Sequence, residues 1–155
     1  GKDSHIRVTY AGDGPLRQSI QQFAAQSELS SSVHLAGRVS KPVEILKDLD
    51  IYCTTSDTEQ MPLSVLEAMS CGLPVLGTNV GDVRNIVSEP NREFITAPKD
   101  EDTLARNLAR LAKDRQLRID LGKANAERCR EVYSQKKMVE TYDELYRSLI
   151  ESGRG

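Results

Sequence analysis

The sequence predicts an α/β fold: a parallel sheet of about five strands flanked by helices, followed by a carboxyl-terminal third that is helical only. Two observations carry that expectation. Five short apolar runs rich in β-branched and aromatic residues alternate with amphipathic segments along the first two thirds of the chain. Beyond them, leucines recur only at helical spacing. A length of 155 residues suits one domain with a sizeable core, and no linker, repeat or low-complexity tract divides it, so residues 1–155 are expected to form a single domain.

The expected strands are IRVTYAG (6–12), VHLAG (33–37), DIYCTTS (50–56), PVLGT (74–78) and EFITA (93–97). Their nearly continuous apolar character is that of parallel strands buried on both faces. PLRQSIQQFAAQSE follows the first, with Leu16, Ile20 and Phe23 at helical spacing, and KPVEILKDL, PLSVLEAMSCG and DVRNIVSE follow the next three. Pro15 and Pro62 are expected at first helical positions, where a missing N–H costs nothing. In the last third, Leu104, Leu108 and Leu111 share a face, as do Leu117, Leu121 and Ala124, and then Met138, Tyr142, Leu145 and Leu149. Asp100 and Ser134 are the expected N-caps of the first and last of these helices.

Composition excludes several function classes. With 21 Lys+Arg against 23 Asp+Glu and 5% aromatic residues, the chain offers neither the charge nor the stacking platforms for nucleic acid. No apolar run approaches the roughly 20 residues of a transmembrane helix, and GKDSH does not open a signal peptide. Cys53, Cys71 and Cys129, odd in number and without a CxxC, read as reduced cytoplasmic thiols serving as small core residues. No cluster of ligating side chains suggests a metal. His5 and His34 read as surface or strand-edge residues.

AGDGPLR (11–17) lies between a strand and a helix but has Arg17 where a dinucleotide fingerprint needs its third glycine, and Ala36 and Gly37 where that fingerprint needs an acid. Either a tight turn requiring glycine's freedom in φ or a pocket wall fits Gly12 and Gly14. The stretch from Ser56 to Glu67 is more specific. Asp57-Thr58-Glu59-Gln60-Met61 connects the end of the third strand to a helix opening at Pro62, the place where open α/β sheets bind ligands. Free amides of Leu63 and Ser64 would favour a phosphate there. Glu59 stands in reach of a ligand's hydroxyls. Glu67, among Val65, Leu66, Ala68 and Met69, is expected to be buried and therefore to need donors. A ribose diol would supply two; backbone amides or an arginine would serve as well.

Taken in order, IRVTYAGDGPLR, VHLAGRVS, DIYCTTSDTEQMPLSVLEAMSCGLPVLGTNVGDVRNIV and TYDELYRSLI resemble the carboxyl-terminal, donor-binding domain of GT-B-fold glycosyltransferases of family 4, the "glycosyl transferases group 1" type. The E-x7-E run from Glu59 to Glu67, with EAMSCGLPV and NVG after it, carries most of the resemblance. It implies a Rossmann-like domain in which Glu67 holds the ribose hydroxyls and Glu59 is the catalytic carboxylate facing the donor sugar. It also implies that Gln60 and Met61 touch the sugar through their backbone, that the Leu63 and Ser64 amides hold the diphosphate, and that Arg38 and Val39 frame the base. The donor would be a nucleotide-diphosphate sugar, the reaction a retaining transfer to a glycan, lipid or small molecule, with no cofactor and no metal.

The sequence departs from that pattern at Gln60, where the family more often has glycine; a side chain there narrows or re-equips the sugar pocket. The family's domains also begin with one more strand–helix unit, carrying an arginine and a lysine that clamp the diphosphate, and are preceded by an acceptor domain. Neither is present in these residues, so the resemblance implies a fragment that does not transfer sugar by itself and whose partners are a nucleotide sugar and its acceptor domain. A peripheral membrane attachment of the complete enzyme and self-association through an exposed strand edge stay open. A non-catalytic nucleotide-sugar-binding or regulatory module is the alternative reading. Sugar-nucleotide epimerases share the architecture but would show further acid/base carboxylates and a histidine in the crevice.

Overall fold

The computed structural model describes residues 6–26 and 30–152; His5 and the residues around it, expected near a strand start, lie outside them. The chain divides into two compact units, Gly1–Glu44 and Ile45–Gly155. All five expected strands are present and every pairing is parallel, but they form a two-stranded sheet, β1-β2, and a three-stranded sheet, β3-β4-β5.

In the first unit β1 (Val8–Ala11) and β2 (Val33–Gly37) pair in parallel from Val8 with Val33 to Ala11 with Gly37, slipping by one residue after Tyr10. The helix α1 (Arg17–Gln26) makes the crossover that a parallel pair requires. It begins two residues after Pro15, which sits in the preceding turn rather than at the first helical position. The expectation of a buried first strand is corrected, since Val8 and Tyr10 are 45% and 41% exposed. Gly12 and Gly14 do not have positive φ, so the turn does not depend on glycine's freedom; Gly37, at the end of β2, does have positive φ. The short helix α2 (Pro42–Leu46) spans the division between the units.

The second unit runs β3 (Tyr52–Thr54), α3 (Leu63–Ser70), β4 (Val75–Thr78), α4 (Val83–Ile86), a 3-10 helix (Glu89–Phe94), β5 (Ile95–Thr96), α5 (Glu101–Lys113), α6 (Arg115–Val132) and α7 (Gln135–Ser152). β4 lies between β3 and β5 and is buried throughout. Its side chains alternate between two cores, as the period of a strand dictates. Val75 joins Val65, Met69, Val83, Ile86 and Ile95, whereas Leu76 joins Phe94, Leu111 and Leu121, with Leu104, Leu108 and Leu117 against them. Two of the three predicted helical stripes are thus covered.

The third is not. Met138, Tyr142, Leu145 and Leu149 on α7 are 52%, 54%, 49% and 58% exposed, so the described residues leave about half of each uncovered. Asp100 caps α5 by accepting the Thr103 amide at 3.1 Å, and Ser134 accepts the Lys137 amide at 3.2 Å at the start of α7. Asp114 does the same for α6 through the Leu117 amide at 2.9 Å, a cap the sequence reading passed over. The cysteines are less buried than expected: Cys53 is exposed, and Cys71 and Cys129 are half-buried.

Candidate functional site

β3 ends at Thr54 and β4 at Thr78, so the loop over residues 55–61 leaves the carboxyl edge of the sheet before turning into α3. Pro62 is the N-cap of α3, extended at φ −71°, ψ 114°, rather than its first residue, and no side chain caps the helix. Val65 donates to the Pro62 carbonyl at 3.2 Å, while the amides of Leu63 and Ser64 meet no acceptor among the described residues. Both side chains are exposed. An uncapped helix start with free N–H groups at a strand's carboxyl end is a place for an anion.

Glu59 is half-buried and fixed in direction: the Ser56 hydroxyl donates to its Oε1 at 2.8 Å. Its other carboxylate oxygen meets no donor among the described residues. Gln60 and Met61 are exposed at the tip of the loop. Glu67 is half-buried, not buried as its neighbours in sequence suggested. At about 100° per residue, Val65, Ala68 and Met69 share the inward face of α3 and Glu67 falls nearly opposite Val65, on the face it shares with Leu63. No described residue donates a hydrogen bond to its carboxylate or pairs with it. The amide or arginine partner that would have explained it structurally is therefore missing among those residues.

Tyr52, on β3, is a member of this neighbourhood that sequence reasoning missed. Burial raises its phenol above the ordinary value, a hydrogen bond with Ser64 pulls it back, and the charges of Glu59 and Glu67 push in the same direction as burial. The phenol therefore keeps its proton. A tyrosine at the start of a strand that ends in the site was the available signal. Arg38 and Val39 belong to the first unit, directly after β2; Arg38 is exposed and Val39 half-buried. No residue of the loop lines the two surface depressions, one over Gly72 and Gly122 and the other, within the first unit, beside Arg17 and Leu35.

Parallel strands delivering a loop with an acidic residue to an uncapped helix start put that loop where open α/β sheets bind ligands. The family model described as "Glycosyl transferases group 1" matches residues 2–128, and the chain belongs to that family. It is 26% identical over 144 residues to N-acetyl-alpha-D-glucosaminyl L-malate synthase of Bacillus anthracis, a match covering 93% of this chain and 38% of that protein. It is 29% identical over 125 residues to the sulfoquinovosyl transferase SQD2 of Arabidopsis thaliana, covering 78% and 24%. The chain thus spans well under half the length of either. In fold it is similar to Anabaena HepE solved with UDP (TM-score 0.85, 18% identity, 94% of this chain and 42% of that one). It is likewise similar to a mutant of S. aureus TarM solved with UDP, fondaparinux and alpha-GlcNAc-glycerol (0.78, 21%, 90% and 29%). These likenesses show the GT-B type of domain.

Proposed function

We propose that this chain is the donor-binding part of a retaining glycosyltransferase that takes a nucleotide-diphosphate sugar. The observation that carries the reading is the conjunction on one short stretch of two free helix amides, Leu63 and Ser64, with two half-buried carboxylates, Glu59 and Glu67, each with at least one unengaged oxygen. Ribose hydroxyls donate to Glu67, the diphosphate lies on the α3 amides, and the sugar meets Glu59 and the backbone of Gln60 and Met61. In the transfer, the bond from the anomeric carbon to the diphosphate oxygen breaks, the acceptor's oxygen takes its place, and the acceptor's hydroxyl proton passes to the departing diphosphate. Negative charge then grows on the diphosphate, where the amides bind it more strongly than in the ground state.

The test follows backbone amide shifts while UDP, and then UDP-glucose, is titrated into the chain. Shifts are expected to cluster at residues 56–67; shifts centred on residues 100–130 would refute the site. Glu67→Ala is expected to weaken UDP binding by about 1–3 kcal/mol, the loss of hydrogen bonds to a charged acceptor. In the complete enzyme Glu59→Ala is expected to lower kcat more than it raises KM, because its partner is the sugar that acquires charge. Small and equal effects of the two substitutions would mean both glutamates are structural.

A further inference from the structure

The loop that carries Glu59 is held in place by residues far from it in sequence. At one end the Thr78 hydroxyl donates to the Ser56 carbonyl at 2.7 Å, and at the other the Asp82 amide donates to the Gln60 carbonyl at 2.8 Å. The segment Thr78–Asp82 is itself anchored in the fold. The Asn79 amide donates to the Thr96 carbonyl of β5 at 2.7 Å, Val80 lies in the core, and the Asp82 carbonyl accepts the Asn85 and Ile86 amides at 2.9 Å at the start of α4.

Gly81 stands at the apex of this segment with φ +51°, a conformation that L side chains rarely adopt. A Cβ built there would lie 2.5 Å from the Gln60 carbonyl oxygen and would also collide with that of Glu59. The two obstacles are backbone atoms, so relief requires the loop itself to move.

We infer that Gly81 is a positioning residue for the donor sugar: its bare Cα lets the backbone of Glu59 and Gln60 close against the Thr78–Asp82 segment. Thr78 fixes the other end of the loop, and the Ser56 hydroxyl then aims the Glu59 carboxylate. The inference rests on the donor-binding reading above and adds the residues that set the depth of the sugar pocket. It separates the sugar from the nucleotide, because Leu63, Ser64 and Glu67 belong to α3 and make no hydrogen bond to the segment among the described residues.

The experiment measures UDP and UDP-glucose affinities calorimetrically for the unsubstituted chain and for Gly81→Ala, Thr78→Val and Thr78→Ser. Gly81→Ala is expected to lower the ratio of UDP-glucose to UDP affinity by about tenfold while UDP affinity stays within about threefold. Thr78→Val, which keeps the side-chain shape and loses the donor, is expected to lower the ratio by about threefold, and Thr78→Ser to restore it. If Gly81→Ala does not fold, the Thr78 pair decides. An unchanged ratio in folded variants that still bind UDP overturns the positioning role and leaves the donor-binding reading standing. Equal losses for both ligands overturn it too, as the mark of a merely structural role. An unsubstituted chain that binds neither ligand overturns the reading and this inference together.

Discussion

Asn125→Ala is expected to destabilise the second unit by about 4 kcal/mol, a large part of what holds an ordinary domain folded. The Asn125 side chain is fully buried on α6 and uses both ends of its amide. Its Oδ1 accepts from the Ser88 amide at 3.0 Å and the Ser88 hydroxyl at 2.7 Å. Its Nδ2 donates to the Leu73 carbonyl at 2.9 Å and to Asn91 Oδ1 at 2.8 Å. Asn91 in turn holds the backbone of Val75 at both ends, accepting from its N–H at 2.9 Å and donating to its carbonyl at 2.6 Å, so that a side chain does what a neighbouring strand would do at the start of β4. Truncation takes a partner from four polar atoms in a closed core; Asn91 Oδ1 keeps the Val75 amide, and each of the other three that stays unpaired costs about 1–3 kcal/mol. The total is smaller than the sum because the members of one network do not add. Urea unfolding should show a lower midpoint with an unchanged slope. Ser88→Ala, which removes one hydroxyl and keeps the backbone donor, is expected to cost about 1 kcal/mol. An Asn125→Ala loss no larger than that of Ser88→Ala would mean that water or a shifted backbone satisfies the network.

None of this network was legible in the sequence, and the reason is physical. Local pattern reports periodicity and caps, which involve neighbours along the chain. Thus β2 and β4 came out at VHLAG and PVLGT nearly to the residue, and Asp100 and Ser134 cap their helices. The loop–helix junction at residues 56–67 was legible for the same reason, since its amides and carboxylates lie within one short stretch. Asn91 and Asn125 meet only through the fold, as do Thr78 and Ser56, or Gly81 and Glu59. The fifth strand is shorter than EFITA because residues 89–94, with Pro90 near their start, wind into a 3-10 helix and leave only Ile95 and Thr96 to pair with β4. The apolar neighbours of Glu67 point to the core, but the helical period itself turns Glu67 away from Val65 and Met69. On α7, periodicity gave the apolar stripe correctly but cannot say what covers it.

Gly122→Ala reverses the usual sign of a helical substitution. In the interior of a helix, alanine for glycine ordinarily stabilises by about 1 kcal/mol. Gly122 lies inside α6, where that helix crosses the end of α3, and a Cβ there would run into the Gly72 carbonyl oxygen, with the Gly72 carbonyl carbon 2.8 Å away. Gly72 has little room to yield. It closes α3 in a left-handed turn at φ +76°, with its own amide on the Met69 carbonyl at 2.9 Å and the Leu73 amide on the Ala68 carbonyl at 3.1 Å. Leu73 and Ala68 pack together beneath this cap. Relief therefore requires α6 to lift from α3 or the cap to break, and the expected net cost is about 3 kcal/mol. Gly72→Ala isolates the other source of strain: nothing lies within 4 Å of a Cβ at that position, so only the positive φ is penalised, at about 1–2 kcal/mol. Unfolding midpoints in the order unsubstituted, Gly72→Ala, Gly122→Ala are the expected result. A Gly122→Ala variant as stable as the unsubstituted chain would show that α6 does not press on the cap of α3, the helix that carries Glu67.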